Sequence, residues 1–152
     1  MNFQIGREGE EIVKKVLNKF GIDCEINEDY SKRYDYDILS QYKKQQISYE
    51  VKYDYMAEKT GNLAIEINNC KVDRPSGINV TAADFWAHVI KKDKSTTVWL
   101  CKVSELKEFI QNNKADRKVT QAGDGNADIL LYKAKSILSS AFYRIDNVKK
   151  TE

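Results

Sequence analysis

Between Arg33 and Asp54 the chain reads RYDYDILSQYKKQQISYEVKYD, and this stretch constrains the fold more than any other. β-Branched and aromatic residues gather in two runs separated by a polar turn of Gln and Lys, the pattern of a β-hairpin. The spacing predicts a first strand through Tyr34, Tyr36 and Ile38 and a second from Ile47 to Tyr53. Alternate side chains of a strand share a face, so Asp35, Asp37 and Leu39 fall together, as do Glu50 and Lys52. If the strands pair, carboxylates and one ammonium converge on one patch, a set suited to holding a divalent cation and activating a water beside a phosphate. The same pattern also fits a solvated Glu–Lys pair, contributing about 0–1 kcal/mol. Context favours the first reading: Glu50 and Lys52 alternate with Tyr49, Val51 and Tyr53 in a strand of central character, where buried charges need partners or a metal.

Upstream, Ile12, Val13, Val16, Leu17 and Phe20 recur at helical spacing and Gly21 supplies a stop, which predicts a helix over 6–20. Glu8, Glu10 and Glu11 crowd its predicted first turn, where carboxylates favour the helix dipole. Glu10 leads the row of Val13 and Leu17 and is expected to face inward, whereas Glu11 shares a row with Lys15 and faces solvent.

Asp37 followed by Glu50-Val51-Lys52 after a hairpin resembles the PD-(D/E)XK nuclease superfamily. The segment GREGEEIVKKVLNKFGI is similar to the opening helix of its resolvase-like members. The resemblance covers roughly the first 55 residues well and the rest loosely, and Tyr36 stands where the motif has proline. It implies a restriction-endonuclease-like fold, a central mixed β-sheet flanked by helices. It also implies Mg²⁺, with Mn²⁺ as a substitute, held by Asp37, Glu50 and the Val51 carbonyl. Lys52 would orient or deprotonate the attacking water, and Glu10 would reach the metal site from the helix. Asp35 replaces Asp37 if the strand register differs.

Composition fits this reading without demanding it. The chain has 152 residues, 41% hydrophobic and 32% charged, as expected of one globular domain over 1–152. A net charge of +2 excludes a globally basic surface, so any contact with DNA must be a local patch. No apolar run approaches the ~20 residues of a membrane span, and the N-terminus lacks a signal-peptide pattern. Cys24, Cys70 and Cys101 have no CxxC spacing and read as reduced thiols. A cytoplasmic protein of a bacterial or phage-infected cell is expected.

Further strands are predicted at Ile22 to Ile26, Leu63 to Ile67, Thr96 to Val103, Arg117 to Thr120, Ile129 to Tyr132 and Ala141 to Ile145. Thr81 reads as the N-cap of a helix AADFWAHVIKK, Ser104 as the cap of ELKEFIQNN, and 134–140 as a short helix. Met56 to Asn62 is expected to be a connection and 122–126 a tight turn, with a frayed tail VKKTE. Glu66 reads as an exposed strand residue, with an outer position near the metal as the alternative. The loop from Asn68 to Asn79 holds Lys71, Arg74 and Asn79 as DNA-contact candidates. His88, the only histidine, reads as structural, with a phosphate contact as the alternative.

Together these elements predict a mixed α/β (α+β) fold. Three functions remain open: a Mg²⁺-dependent, site-specific DNA endonuclease of homing or restriction type, a Holliday-junction resolvase, and a non-catalytic DNA-binding protein of the same fold. Cutting both strands from one active site per chain implies a homodimer or homotetramer.

Overall fold

The computed structural model describes residues 3–29, 31, 35–93, 95–123 and 125–146, with side chains described from Gly6 onward. In chain order the elements are α1 (Phe3–Lys19), β1 (Asp23–Ile26), β2 (Ile38–Tyr42), β3 (Gln45–Asp54), α2 (Ala57–Thr60), β4 (Asn62–Asn69) and β5 (Arg74–Pro75). After a 3₁₀ turn at Gly77–Asn79 come β6 (Phe85–Lys91), β7 (Thr96–Lys102), α3 (Val103–Asn112), β8 (Arg117–Ala122), β9 (Ala127–Lys133), α4 (Ala134–Ala141) and β10 (Tyr143–Arg144). The fold is mixed α+β. Six strands form a mixed sheet in the order β1-β2-β3-β6-β7-β10, in which only β3 and β6 run parallel. A second, antiparallel sheet has the order β5-β4-β9-β8.

The expected hairpin is present, with Ile38 opposite Tyr49 and Tyr42 opposite Gln45. Its two-residue turn, Lys43 and Lys44, has φ of 49° and 66°, the twist that a tight hairpin requires. The first strand runs on from Ile38 and does not include Tyr36; Tyr34 lies outside the described residues. Alternation along β3 then separates two layers. Tyr49, Val51 and Tyr53 pack with Val13, Val16 and Leu17 of α1 and with Ala87 and Val89 of β6. Glu50, Lys52 and Asp54 face the other way, the side on which Trp86 and Ile90 join Leu63 and Ile65 of β4, Leu106 of α3 and Ile137 of α4. Gly9 fixes the seat of α1: a Cβ there would lie 2.9 Å from the Tyr53 ring.

Several local expectations are corrected. The segment read as a helix after Thr81 is β6, the strand beside β3, and Trp86 to Ile90 are all buried. A strand covered on both faces shows a continuous apolar run without alternation, and such a run over 85–90 also satisfies a short helical pattern. The first helix begins a turn earlier than expected and has no acidic residue in its first turn. Its glutamates make side-chain contacts instead: Glu11 pairs with Arg7 at 3.3 Å, and Glu8 accepts from the Tyr55 hydroxyl at 3.3 Å. Phe20, placed inward by the periodicity, is exposed because the helix has ended.

The connection after Lys52 contains the single turn α2, closed by Gly61 at φ 73°. The N-cap of α3 is Lys102, not Ser104, and the last strand shrinks to β10. Asp124 of the glycine turn and the tail VKKTE lie outside the described residues. Cys24, Cys70 and Cys101 are free thiols. No helix among the described residues is long and apolar enough to cross a membrane.

Candidate active site

Asp37 sits one residue before β2 and joins the hairpin from its open end. Its N–H donates to the Tyr49 carbonyl at 2.8 Å, and its carboxylate Oδ2 accepts from the Val51 N–H at 2.8 Å. Both contacts lie on the β2 side of β3, whereas Ser48 addresses β6 through its carbonyl, which accepts from Asp84 N–H at 3.1 Å. A strand residue's N–H and C=O point to the same side. The Val51 carbonyl therefore faces the edge where β2 has stopped, since β2 pairs no further along β3 than Tyr49. Asp37, Glu50 and the Val51 carbonyl thus collect at one end of the hairpin. Asp35 is exposed and outside the strand, so Asp37 is the carboxylate that the hairpin brings against Glu50.

Lys52 completes the cluster, with Nζ 3.9 Å from Glu50 Oε1 and side chains only 23% and 12% exposed respectively. Burial, and then the charge of Asp37, push the Glu50 carboxyl up to about 8. The nearby Lys52 ammonium and the Thr81 hydroxyl, which donates to Glu50 Oε2 at 3.2 Å, oppose that rise without cancelling it. Burial pulls Lys52 down, but the charges of Glu50, Glu66 and Asp37 outweigh it, and its pKa lies above the ordinary lysine value. At neutral pH Lys52 is an ammonium. Its Nζ lies 5.8 Å from the centroid of the Trp86 ring, within cation–π range.

Beside Lys52 runs a buried polar chain that the sequence did not announce. The Trp86 indole donates to His88 Nδ1 at 3.1 Å, and His88 Nε2 stands 2.9 Å from Asp54 Oδ2. An indole can only donate, so Nδ1 is the acceptor and the proton of a neutral imidazole is on Nε2, directed at Asp54. Asp54 Oδ1 also accepts from the Met56 and Ala57 N–H groups at 3.1 and 2.9 Å. Burial raises its pKa, yet the bonds from His88 and the backbone win and hold it below the usual carboxylate value. His88, 1% exposed, is thereby structural, the first of its two readings.

The other candidates divide. Glu10 is 2% exposed on the inward face of α1, as its row predicted, and its charge acts on Arg7. Glu66, on β4, is half-buried and not exposed as first read, and its charge acts on both Glu50 and Lys52. Lys71, Arg74 and Asn79 are exposed on the connection from β4 to β6. Asn79 donates to the Ile67 carbonyl at 3.0 Å, which fixes the turn. Among the described residues, only Thr81 of that connection hydrogen-bonds to Glu50. Thr81, Trp86 and Asp54 were not anticipated at the site. The one local signal was the i, i+2 spacing of Trp86 and His88, which becomes visible once the segment is read as a strand.

The donor set suits a hard cation. Two carboxylates and a carbonyl offer only oxygen, and the Glu50 carboxyl, raised first by burial and then by the charge of Asp37, is one whose charged form a divalent cation would stabilise. Among the described residues no group of three or more His, Cys, Asp or Glu side chains forms a metal-binding set. A cation here would therefore keep several waters, as Mg²⁺ does. No protein-family model matches the chain, and neither a curated protein nor a solved structure matches it.

Proposed function

We propose that this protein is a metal-dependent endodeoxyribonuclease of the PD-(D/E)XK type, cutting duplex DNA at a specific site in the manner of homing or restriction enzymes. The observation that carries the reading is the meeting of Asp37, Glu50 and Lys52 at the open end of the β2–β3 hairpin, with Asp37 bonded across to Val51. Mg²⁺, or Mn²⁺ in its place, held by Asp37, Glu50 and the Val51 carbonyl, would supply a Lewis acid for the phosphoryl oxygen and a more acidic water.

The chain's own residues do the rest. Lys52 orients the attacking water and offsets charge growing on the phosphate. Thr81 holds one Glu50 oxygen in place, and the Trp86 face limits where the Lys52 ammonium can swing. The water oxygen forms the new bond to phosphorus as it gives up a proton to solvent, and the bond from phosphorus to one sugar oxygen breaks with that oxygen taking a proton from solvent to leave as a hydroxyl. Lys71 and Arg74, exposed on the connection that leads into Thr81, would contact phosphates. Such a protein works in the cytoplasm.

The test is cleavage of supercoiled plasmid, linear duplex libraries and a four-way junction with Mg²⁺, Mn²⁺ or EDTA. Wild-type cleavage that requires the cation and falls at least 10²-fold in Lys52→Ala is expected, the scale of removing one electrostatic stabiliser. Cleavage by Lys52→Ala at the wild-type rate would remove this site from consideration. Preferential cutting of the junction would move the substrate to the resolvase class.

A further inference from the structure

A cleft of about 880 Å³ opens beside Lys52, between the end of β3 and one face of the second sheet. Its floor is Lys52, Asp54 and His88, one rim carries Tyr55 and Met56, and its far wall is made by β4 and β9. Pairing of Ala64 with Leu131 and of Glu66 with Ile129 puts these four side chains on one face of that sheet. Leu63, Ile65 and Tyr132 take the opposite face and are buried in the core. The register shifts between Glu66 and Asn68, which turns Asn69, opposite Ala127, onto the cleft face.

The chemistry of this wall is unlike that of a phosphate channel. Among the described residues Lys52 is the only lysine or arginine lining the cleft, where it faces the carboxylates of Asp54 and Glu66, and the wall is otherwise aliphatic (Ala64, Ile129, Leu131) with amides (Asn62, Asn69, Asn126) along it. Phosphates call for Lys, Arg or converging N–H groups. An aliphatic face edged by amides and the Glu66 carboxylate matches a heterocyclic base, which offers a π-face to pack and, on its rim, amino donors for a carboxylate as well as acceptors for amides. We propose that the cleft receives one unstacked nucleobase adjacent to the phosphate at Lys52. This rests on the nuclease reading for its position beside the scissile phosphate, not for the binding itself. A fully paired target must surrender a base from its stack to fill the cleft, so DNA that already has an unpaired nucleotide binds more tightly.

The full chain, in EDTA so that no cutting occurs, is titrated with a perfect duplex and with the same duplex carrying a one-nucleotide bulge. The bulged DNA is expected to bind at least tenfold more tightly. Ala64→Leu, which fills the wall, and Asn69→Ala, which removes an amide, are each expected to erase that preference by weakening the bulged complex more than the perfect-duplex one. Equal affinity for the two DNAs, or a preference that survives both variants, would overturn the base pocket while leaving the nuclease reading intact. A preference that the variants erase, in a protein that never cleaves, would keep the pocket and overturn the nuclease. Failure to bind either DNA would sink both.

Discussion

Glu50 is the residue on which the behaviour of the site turns. In the unfolded chain its carboxyl loses its proton near 4.5, whereas in the folded protein it keeps it to about 8. Between those values the folded state binds more protons than the unfolded one, so stability falls as pH rises through that window. Glu50→Gln removes the cost. Its melting temperature should equal the wild type's at pH 4 and exceed it at pH 8–9. A cation must displace the same proton. Calorimetric titration with Mg²⁺ in buffers of different ionisation heat should show close to one proton released per site at pH 7 and almost none above pH 9. A release independent of pH would place the cation elsewhere. The Lys52 shift has the opposite practical consequence: because its pKa lies above the ordinary value, it stays charged throughout this window and contributes no limb to a neutral pH–rate profile.

At the scale of elements, two short connections hold the site in shape. Asp54 ends β3 and ties it at once to α2, through the Met56 and Ala57 N–H groups, and to β6 through His88. Asp54→Asn removes the charge that four donors share, the Met56, Ala57 and Ala64 N–H groups and His88, and should lower stability by about 1.5–3 kcal/mol in urea unfolding. Its pKa is lowered, so its contribution is present above the unfolded value of 3.8 and is lost as pH falls further. The second connection is the 3₁₀ turn before β6. Gly77 has φ +54°, and a Cβ there would lie 2.9 Å from the Glu66 Cβ. Its carbonyl accepts from the Thr81 N–H at 3.0 Å, in the segment that delivers the hydroxyl to Glu50. Gly77→Ala should cost about 1–3 kcal/mol, the range for a strained backbone position, and should also lower the cation affinity; stability lost with affinity unchanged would uncouple the turn from the site.

Across the whole molecule, the mixed sheet separates two cores, one under α1 and one under α3, α4 and the second sheet. The site lies at the end of the hairpin where these layers part, the one place where strand β3 has a buried polar face and an edge without a partner strand among the described residues. On the proposed nuclease reading, one such site per chain would cut one strand. Double-strand cleavage therefore calls for a symmetric dimer or tetramer, and sedimentation should give a multiple of the 17.6 kDa chain mass. A monomer at all concentrations should nick plasmid without linearising it.

The hairpin, the shared face of Glu50 and Lys52, the inward Glu10 and the mixed α+β class were legible from residue spacing, because period-2 and period-3.6 patterns report directly which side chains share a face, whereas Asp37 precedes β2 and spacing alone did not separate it from Asp35. β6 was not. A strand buried on both faces loses its alternation, so AADFWAHVIKK carried no period that could distinguish it from a helix. With β6 misplaced, the partners it brings to the site, Trp86 under Lys52 and His88 against Asp54, could not be foreseen, nor could Thr81 on Glu50. The sequence by itself determined which charges lie on one face of one strand. Only the tertiary structure decided how deeply they are buried and what faces them across the layers, because desolvation and charge crowding depend on neighbours far apart in the chain.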